Sequence, residues 1–131
     1  MATRPRILLA DDHPAVLEHA SRILSKDYEV VGQVSDGQAA VDAAFELQPD
    51  LVVLDVMMPG LGGFDAAREL RRRGCSAKVV FLTVQQNQEC VSAALESGGV
   101  AYVLKSRMYL DLVYAIGQAL AGSIFISQLM A

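Results

Sequence analysis

The chain has 131 residues, 53% of them apolar and 20% charged, which is the size and composition of one folded domain and excludes a disordered chain. Eleven Lys and Arg stand against fifteen Asp and Glu, a net charge of -4, so a globally basic nucleic-acid binder is excluded and direct DNA binding is not expected. Cys75 and Cys90 are too few for a disulfide framework, and the apolar stretch before Asp11 and Asp12 is too short for a secretory signal. The thiols therefore read as reduced and the chain as cytoplasmic.

Residues 7–10 form a short apolar run that stops abruptly at Asp11 and Asp12, as a buried strand does. Pro14 opens a helix, where its missing N–H costs nothing, and Val16, Leu17, Ala20, Ile23 and Leu24 keep the helical period. Residues 30–34 read as a second strand, with Asp36 and Gly37 as a turn signal. An alanine-rich helix over 38–47 is stopped by Pro49. Residues 51–54 are the most apolar strand and end at Asp55. A glycine-rich loop from Met58 to Gly63 leads into a helix over 64–73. A strand over 78–82 ends at Thr83, and a helix over 86–97 stops at Gly98 and Gly99. A strand over 101–104 ends at Lys105, and a last helix covers 109–121. The uncharged stretch after Asp111 is long enough to span a bilayer. It carries Gly117, Gln118, Gly122, Ser123, Ser127 and Gln128 and lacks flanking cations, so it reads as a surface helix followed by an apolar tail.

Five apolar strands alternating with helices predict an α/β fold with a parallel sheet covered on both faces. With right-handed crossovers this is a doubly wound three-layer sandwich. Parallel strands deliver their C-terminal ends to one edge, and the residues just past those ends are Asp11, Asp12, Ser35, Asp55, Thr83 and Lys105. A strand order of 2-1-3-4-5 would place the ligand crevice between the first and third strands, which carry the three aspartates. Singly, each residue has an ordinary explanation. Asp11 or Asp12 would cap the first helix, Asp55 would start a turn, Thr83 would end a strand, and Lys105 would be a solvated charge. Together these explanations fail, because two carboxylates about 5 Å apart repel by roughly 3 kcal/mol at an effective dielectric of about 20, and only Lys105 is placed to help. An all-oxygen carboxylate site suits a hard divalent cation, and Mg²⁺ retains waters and recruits phosphate oxygens. With a phosphoryl group added, the cation and Lys105 offset its charge, Thr83 donates a hydroxyl hydrogen bond, and an aspartate can act as nucleophile.

Ala10-Asp11-Asp12-His13-Pro14, Asp55-Val56-Met57-Met58-Pro59 with Gly63, Thr83, and Tyr102-Val103-Leu104-Lys105 resemble, in order and spacing, the motifs of the receiver domain of bacterial two-component response regulators. The first motif is similar to that of receivers fused to a LuxR-type helix-turn-helix, and residues 121–127 resemble the start of the linker to that domain. The resemblance implies a flavodoxin-like (βα)5 receiver over 1–121 and a tail over 122–131 leading to a DNA-binding domain. It implies that Asp55 takes a phosphoryl group from a histidine kinase, a phosphotransfer protein or a small phosphodonor. Asp12, Asp55 and the backbone carbonyl of Met57 would hold Mg²⁺, with Asp11 acting through a water. Lys105 would pair with the phosphoryl group, and Thr83 would swing toward it with a rotamer change of Tyr102, reshaping the face of the fourth helix, fifth strand and fifth helix. Met57 and Gln85 would modulate hydrolysis. Such a domain is a signalling module and not an enzyme with an external substrate.

His13, beside the helix-opening proline, reads as a loop residue. Arg68, Arg71, Arg72 and Arg73 read as a solvated helix face complementing the C-terminal dipole. The tail residues Ile124, Phe125, Ile126, Leu129 and Met130 should pack against another domain or a partner, and homodimerisation through the first and fifth helices is expected. Three other functions fit less well. A dehalogenase-type phosphatase wants a second acid at position 57, which is Met. A flavin site wants a Ser/Thr-rich phosphate loop where two aspartates stand. A dinucleotide site wants GxGxxG, which residues 60–63 do not supply. A receiver-like interaction module that is never phosphorylated remains the alternative, against which Asp11, Asp12, Asp55, Thr83 and Lys105 all argue.

Overall fold

Alternation along the strands decides which helices cover which face. In the computed structural model, which describes residues 3–129, Leu8, Ala10, Val52, Leu54, Phe81, Tyr102 and Leu104 point to one face of the sheet. Ile7, Leu9, Leu51, Val53, Val80, Leu82, Ala101 and Val103 point to the other, as the two-residue period of a strand requires. The strands are β1 (Arg6–Ala10), β2 (Glu29–Val34), β3 (Leu51–Leu54), β4 (Lys78–Thr83) and β5 (Ala101–Leu104). The first face is covered by α2 (Gly37–Leu47), α3 (Gly63–Arg72) and α4 (Gln88–Glu96), the second by α1 (Pro14–Leu24) and α5 (Met108–Leu120). All pairings are parallel, and the order is the expected 2-1-3-4-5.

Several boundaries move for local reasons. Asp36 caps α2 by accepting from the Ala39 N–H at 2.8 Å, so the expected turn at Asp36 and Gly37 is the first turn of that helix. Asn87 caps α4 by accepting from the Cys90 N–H at 2.8 Å, which delays that helix to Gln88. A single 3-10 turn, Lys105–Arg107, links β5 to α5.

The larger difference is a sixth strand, β6 (Phe125–Ile126), paired in parallel with β5. The Phe125 ring meets the Tyr114 ring edge-on at 5.4 Å, and Ser127 is buried. Part of the expected tail is therefore held by the chain's own sheet, while Ile124 stays exposed. Met130 lies outside the described residues. Ser127 anchors this segment: its N–H donates to the Tyr102 carbonyl at 2.8 Å, its hydroxyl accepts from the Leu104 N–H at 3.2 Å, and it donates to Asp111 Oδ2 at 2.6 Å. Arg107 Nε completes the clasp at 2.8 Å from the same oxygen. Burial opposes ionisation of Asp111, but Arg107 and the Ser127 hydroxyl hold its carboxyl below the usual carboxylate range.

Candidate functional site

The pairing of β1 with β3 ends at Ala10 opposite Leu54, so the next residues, Asp11 and Asp55, stand side by side. Backbone bonds fix both positions: the Asp55 N–H donates to the Ala10 carbonyl at 3.0 Å, and the Asp11 N–H to the Val34 carbonyl at 3.0 Å. Gly63 closes in from behind, where a Cβ would lie 2.1 Å from the Asp55 carbonyl oxygen. Only glycine permits that approach.

Asp11 and Asp55 are each 3% exposed. Lys105 follows β5, two strands from β3 and three from β1, so its long side chain reaches past the end of β4. Its Nζ lies 2.8 Å from Asp11 Oδ2 and 2.9 Å from Asp55 Oδ2. Burial would lower the Lys105 pKa, but hydrogen bonds and charge from both carboxylates outweigh it and raise it. Asp12 is at the mouth, with its side chain 34% exposed. Neither Asp11 nor Asp12 caps α1; its N-cap is His13, whose side chain makes no capping bond.

The cluster is under-neutralised. Three carboxylates face one ammonium, which leaves two negative charges to be offset. Asp11 Oδ2 is buried, and its Lys105 partner 2.8 Å away is shared with Asp55 at 2.9 Å. Buried carboxylates that share a single ammonium are left short of positive charge, which is costly. A divalent cation supplies that charge, and the donor set of Asp11, Asp12 and Asp55 fits a hard cation that keeps several waters.

Thr83 is fully buried at the end of β4, beside Leu104. Its hydroxyl oxygen accepts from the Gln85 N–H at 3.3 Å. Tyr102, also fully buried, donates its hydroxyl to the Gln85 carbonyl at 2.8 Å. Burial, and then Cys90 and Asp55, push the Tyr102 pKa up, so the phenol stays protonated as a donor. Thr83 and Tyr102 thus hold opposite ends of one residue's backbone. The Met57 side chain is exposed, and its N–H makes a long 3.4 Å contact to Asp55 Oδ1. Ser35 follows β2 at the same edge of the sheet.

The residue missed by sequence reasoning is His13. Its Nδ1 lies 3.0 Å from Asp11 Oδ1 and 3.2 Å from Asp12 Oδ1, and the Asp11 carboxylate accepts its backbone N–H at 2.9 Å. Its place directly after two aspartates was the available signal. The arginines of α3 behave as expected, with Arg68 paired to Asp65 and Arg72 to Glu69 along the helix. Exposed pairs of this kind add little stability.

Comparison with known proteins identifies the family and the fold. The response regulator receiver domain family matches residues 7–116. The chain belongs to that family. It is 37% identical over 124 residues to the nitrate/nitrite response regulator protein NarL of Escherichia coli K12, covering 93% of this chain and 57% of that protein. It is 36% identical over 128 residues to the response regulator GacA of Pseudomonas aeruginosa, covering 96% of this chain and 60% of that one. The receiver domain thus spans less than two thirds of the curated relatives it matches. Among solved structures, a LuxR-family two-component response regulator from Aurantimonas sp. SI85-9A1 superposes with a TM-score of 0.90 at 36% identity, covering 95% of this chain and 91% of that one. The isolated receiver domain of RcsB from Salmonella enterica serovar Typhimurium, solved with phosphomimetic BeF3-, gives a TM-score of 0.87 at 27% identity, covering 96% and 95%. As a receiver domain of two-component response regulators, the chain has a signalling role. Among the described residues, no helix is long and apolar enough to cross a membrane.

Proposed function

We propose that Asp55 accepts a phosphoryl group from a histidine kinase, a phosphotransfer protein or a small phosphodonor, with Mg²⁺ held by Asp12, Asp55 and the Met57 carbonyl and contacted by Asp11 through a water. The observation that carries this reading is the buried Asp55 carboxylate, with Lys105 2.9 Å from one oxygen and two further carboxylates beside it. A carboxylate oxygen of Asp55 attacks phosphorus, the bond from phosphorus to the donor breaks, and its electron pair leaves with the donor. The product is an acyl phosphate. Lys105 pairs with the phosphoryl oxygens, and the cation supplies further charge neutralisation. That a related receiver was solved with a phosphomimetic supports the same chemistry here.

Transmission follows from the Gln85 bridge. A Thr83 hydroxyl that turns to a phosphoryl oxygen gives up the Gln85 N–H. That frees the segment whose carbonyl holds Tyr102, and the face of α4, β5 and α5 changes with it, a two-state element biased by a local charge. Met57 and Gln85 flank the site and set water access to the acyl phosphate.

Two consequences concern partners. Tyr109, Leu110 and Tyr114 of α5 are exposed, and His19 of α1 lies 6.3 Å from the Tyr109 ring, so α1 and α5 form the homodimer face. Residues 122–131 lead toward a helix-turn-helix domain, in keeping with the longer relatives. In this setting phosphorylation controls dimerisation or the attached transcription-factor domain.

The test is intact mass after incubation with acetyl phosphate and Mg²⁺. Wild type gains one phosphoryl group and Asp55→Asn gains none. No gain with acetyl phosphate or a kinase would establish the unphosphorylated interaction module instead. Sedimentation with and without phosphodonor checks the dimer, and monomer at every concentration would remove it.

A further inference from the structure

We propose that Ser127, acting with Asp111 and Arg107, is a positioning residue for Lys105, so that the short strand after α5 helps to set the phosphoryl site. This rests on the phosphoacceptor reading above and extends it to a segment outside the five strand–helix repeats.

The 3-10 turn Lys105–Arg107 begins with the ammonium that faces Asp55 and ends with the guanidinium that meets Asp111. Both ends of this turn are tied to the same buried hydroxyl. Before the turn, the Leu104 N–H donates to the Ser127 hydroxyl oxygen at 3.2 Å. At its end, Arg107 Nε donates to Asp111 Oδ2 at 2.8 Å, and the Ser127 hydroxyl donates to that same oxygen at 2.6 Å. The Met108 N–H closes the turn on the Lys105 carbonyl. The backbone of Lys105 is therefore held between Leu104 and Arg107 along a path that runs through Ser127.

The sheet explains why a side chain stands there. Pairing of β5 with β6 covers Ala101 and Tyr102, and the Ser127 N–H donates to the Tyr102 carbonyl at 2.8 Å. Leu104 lies beyond that ladder and is buried, so its N–H needs another acceptor. The Ser127 hydroxyl is both acceptor and donor. It takes the Leu104 N–H and passes the constraint on to Asp111.

Lys105 needs such a frame, because its ammonium rides on a flexible aliphatic stem. Asp11 and Asp55 hold only the tip, at 2.8 and 2.9 Å, and the clasp holds the root. The tip must also meet phosphoryl oxygens once Asp55 is modified. Misplacing a reacting group by about 1 Å, through a change far from the chemistry, costs about a hundredfold in rate. Among the described residues, the clasp groups bond to one another and to the backbone of β5, not to the aspartates of the site. They position and do not react.

Intact mass followed over time with acetyl phosphate at saturating Mg²⁺ tests this, at a temperature where chemical denaturation shows each variant folded. Ser127→Ala is expected to gain its phosphoryl group roughly tenfold more slowly than wild type, part of the loss that such misplacement produces, with Mg²⁺ affinity by calorimetry unchanged. Arg107→Gln, at a partly exposed side chain, should slow the reaction in the same direction and stands in where Ser127→Ala does not fold. The decisive arm is the Lys105→Gln background. There Ser127→Ala should add less than about a twofold further slowing, because the group it positions is gone. Wild-type rates in both single variants, or an equal slowing that persists without Lys105, overturn the positioning role and leave Asp55 as the phosphoacceptor. If wild type gains no phosphoryl group from acetyl phosphate or a histidine kinase, the phosphoacceptor reading falls and the positioning role with it.

Discussion

Two buried acidic sites draw their cations from the turn after β5, one from Lys105 and the other from Arg107, and they are built on opposite terms. At the sheet edge Asp11, Asp12 and Asp55 face one ammonium, Lys105, which Asp11 and Asp55 share. Behind it Asp111 faces one guanidinium, that of Arg107, and one hydroxyl, that of Ser127, and its Oδ2 accepts from both. The balanced cluster closes on itself and pins β6 to β5. The unbalanced one is complete only with positive charge from outside. Charge balance, rather than burial, separates the acid that holds the fold together from the acids that are available for chemistry.

Breaking the balanced cluster should cost the most stability. Asp111→Ala removes the acceptor shared by Arg107 and Ser127 and is expected to destabilise by about 3 kcal/mol, the lower end for one partner of a buried pair because Arg107 is partly exposed. Ser127→Ala strands the Leu104 N–H and is expected to cost about 2 kcal/mol. Chemical denaturation measures both, and neither should change Mg²⁺ affinity.

The unbalanced cluster should respond in the other direction. Asp12→Asn relieves repulsion and is expected to raise the stability of the metal-free chain by about 1 kcal/mol, the Coulomb energy of a pair discounted for the exposure of Asp12. Loss of stability in that variant would show that the three acids are already compensated.

The gentlest probe is acid. The Asp111 carboxyl is held below its ordinary value of 3.8, so the folded state binds this proton less readily than the unfolded state. Its contribution is complete above pH 3.8 and is lost as the pH falls through the lower folded value. Among the described residues its charged partner is Arg107, on the turn before its own helix. Asp111→Asn should therefore show a shallower loss of stability below that pH than wild type, and parallel acid curves would contradict this.

Most of the sheet edge was legible because strand ends announce themselves: an apolar run cut off by Asp11, Asp55, Thr83 or Lys105 places each residue at one edge once the strands are parallel. The strand order does not follow from that pattern; the resemblance to receiver domains implied it, and the observed sheet has it. His13 was not legible as a site residue, because its placement depends on a bond from its own backbone to Asp11 that periodicity does not report. Strand β6 was missed for a related reason. Phe125 and Ile126 are too short a run to read as a strand, and their pairing depends on Ser127 reaching Asp111 on α5. Helix starts at Gly37 and Gln88 moved because the capping residues Asp36 and Asn87 set them, not the apolar pattern.

Thermal unfolding across a Mg²⁺ titration tests the central contrast most directly. The unbalanced cluster predicts a melting temperature that climbs with Mg²⁺, by an amount equivalent to about 2.7 kcal/mol at a hundredfold excess over the dissociation constant. Asp12→Asn should not respond, and Asp111→Asn should climb in parallel with wild type from a lower starting point. A wild-type melting temperature indifferent to Mg²⁺ would contradict the account.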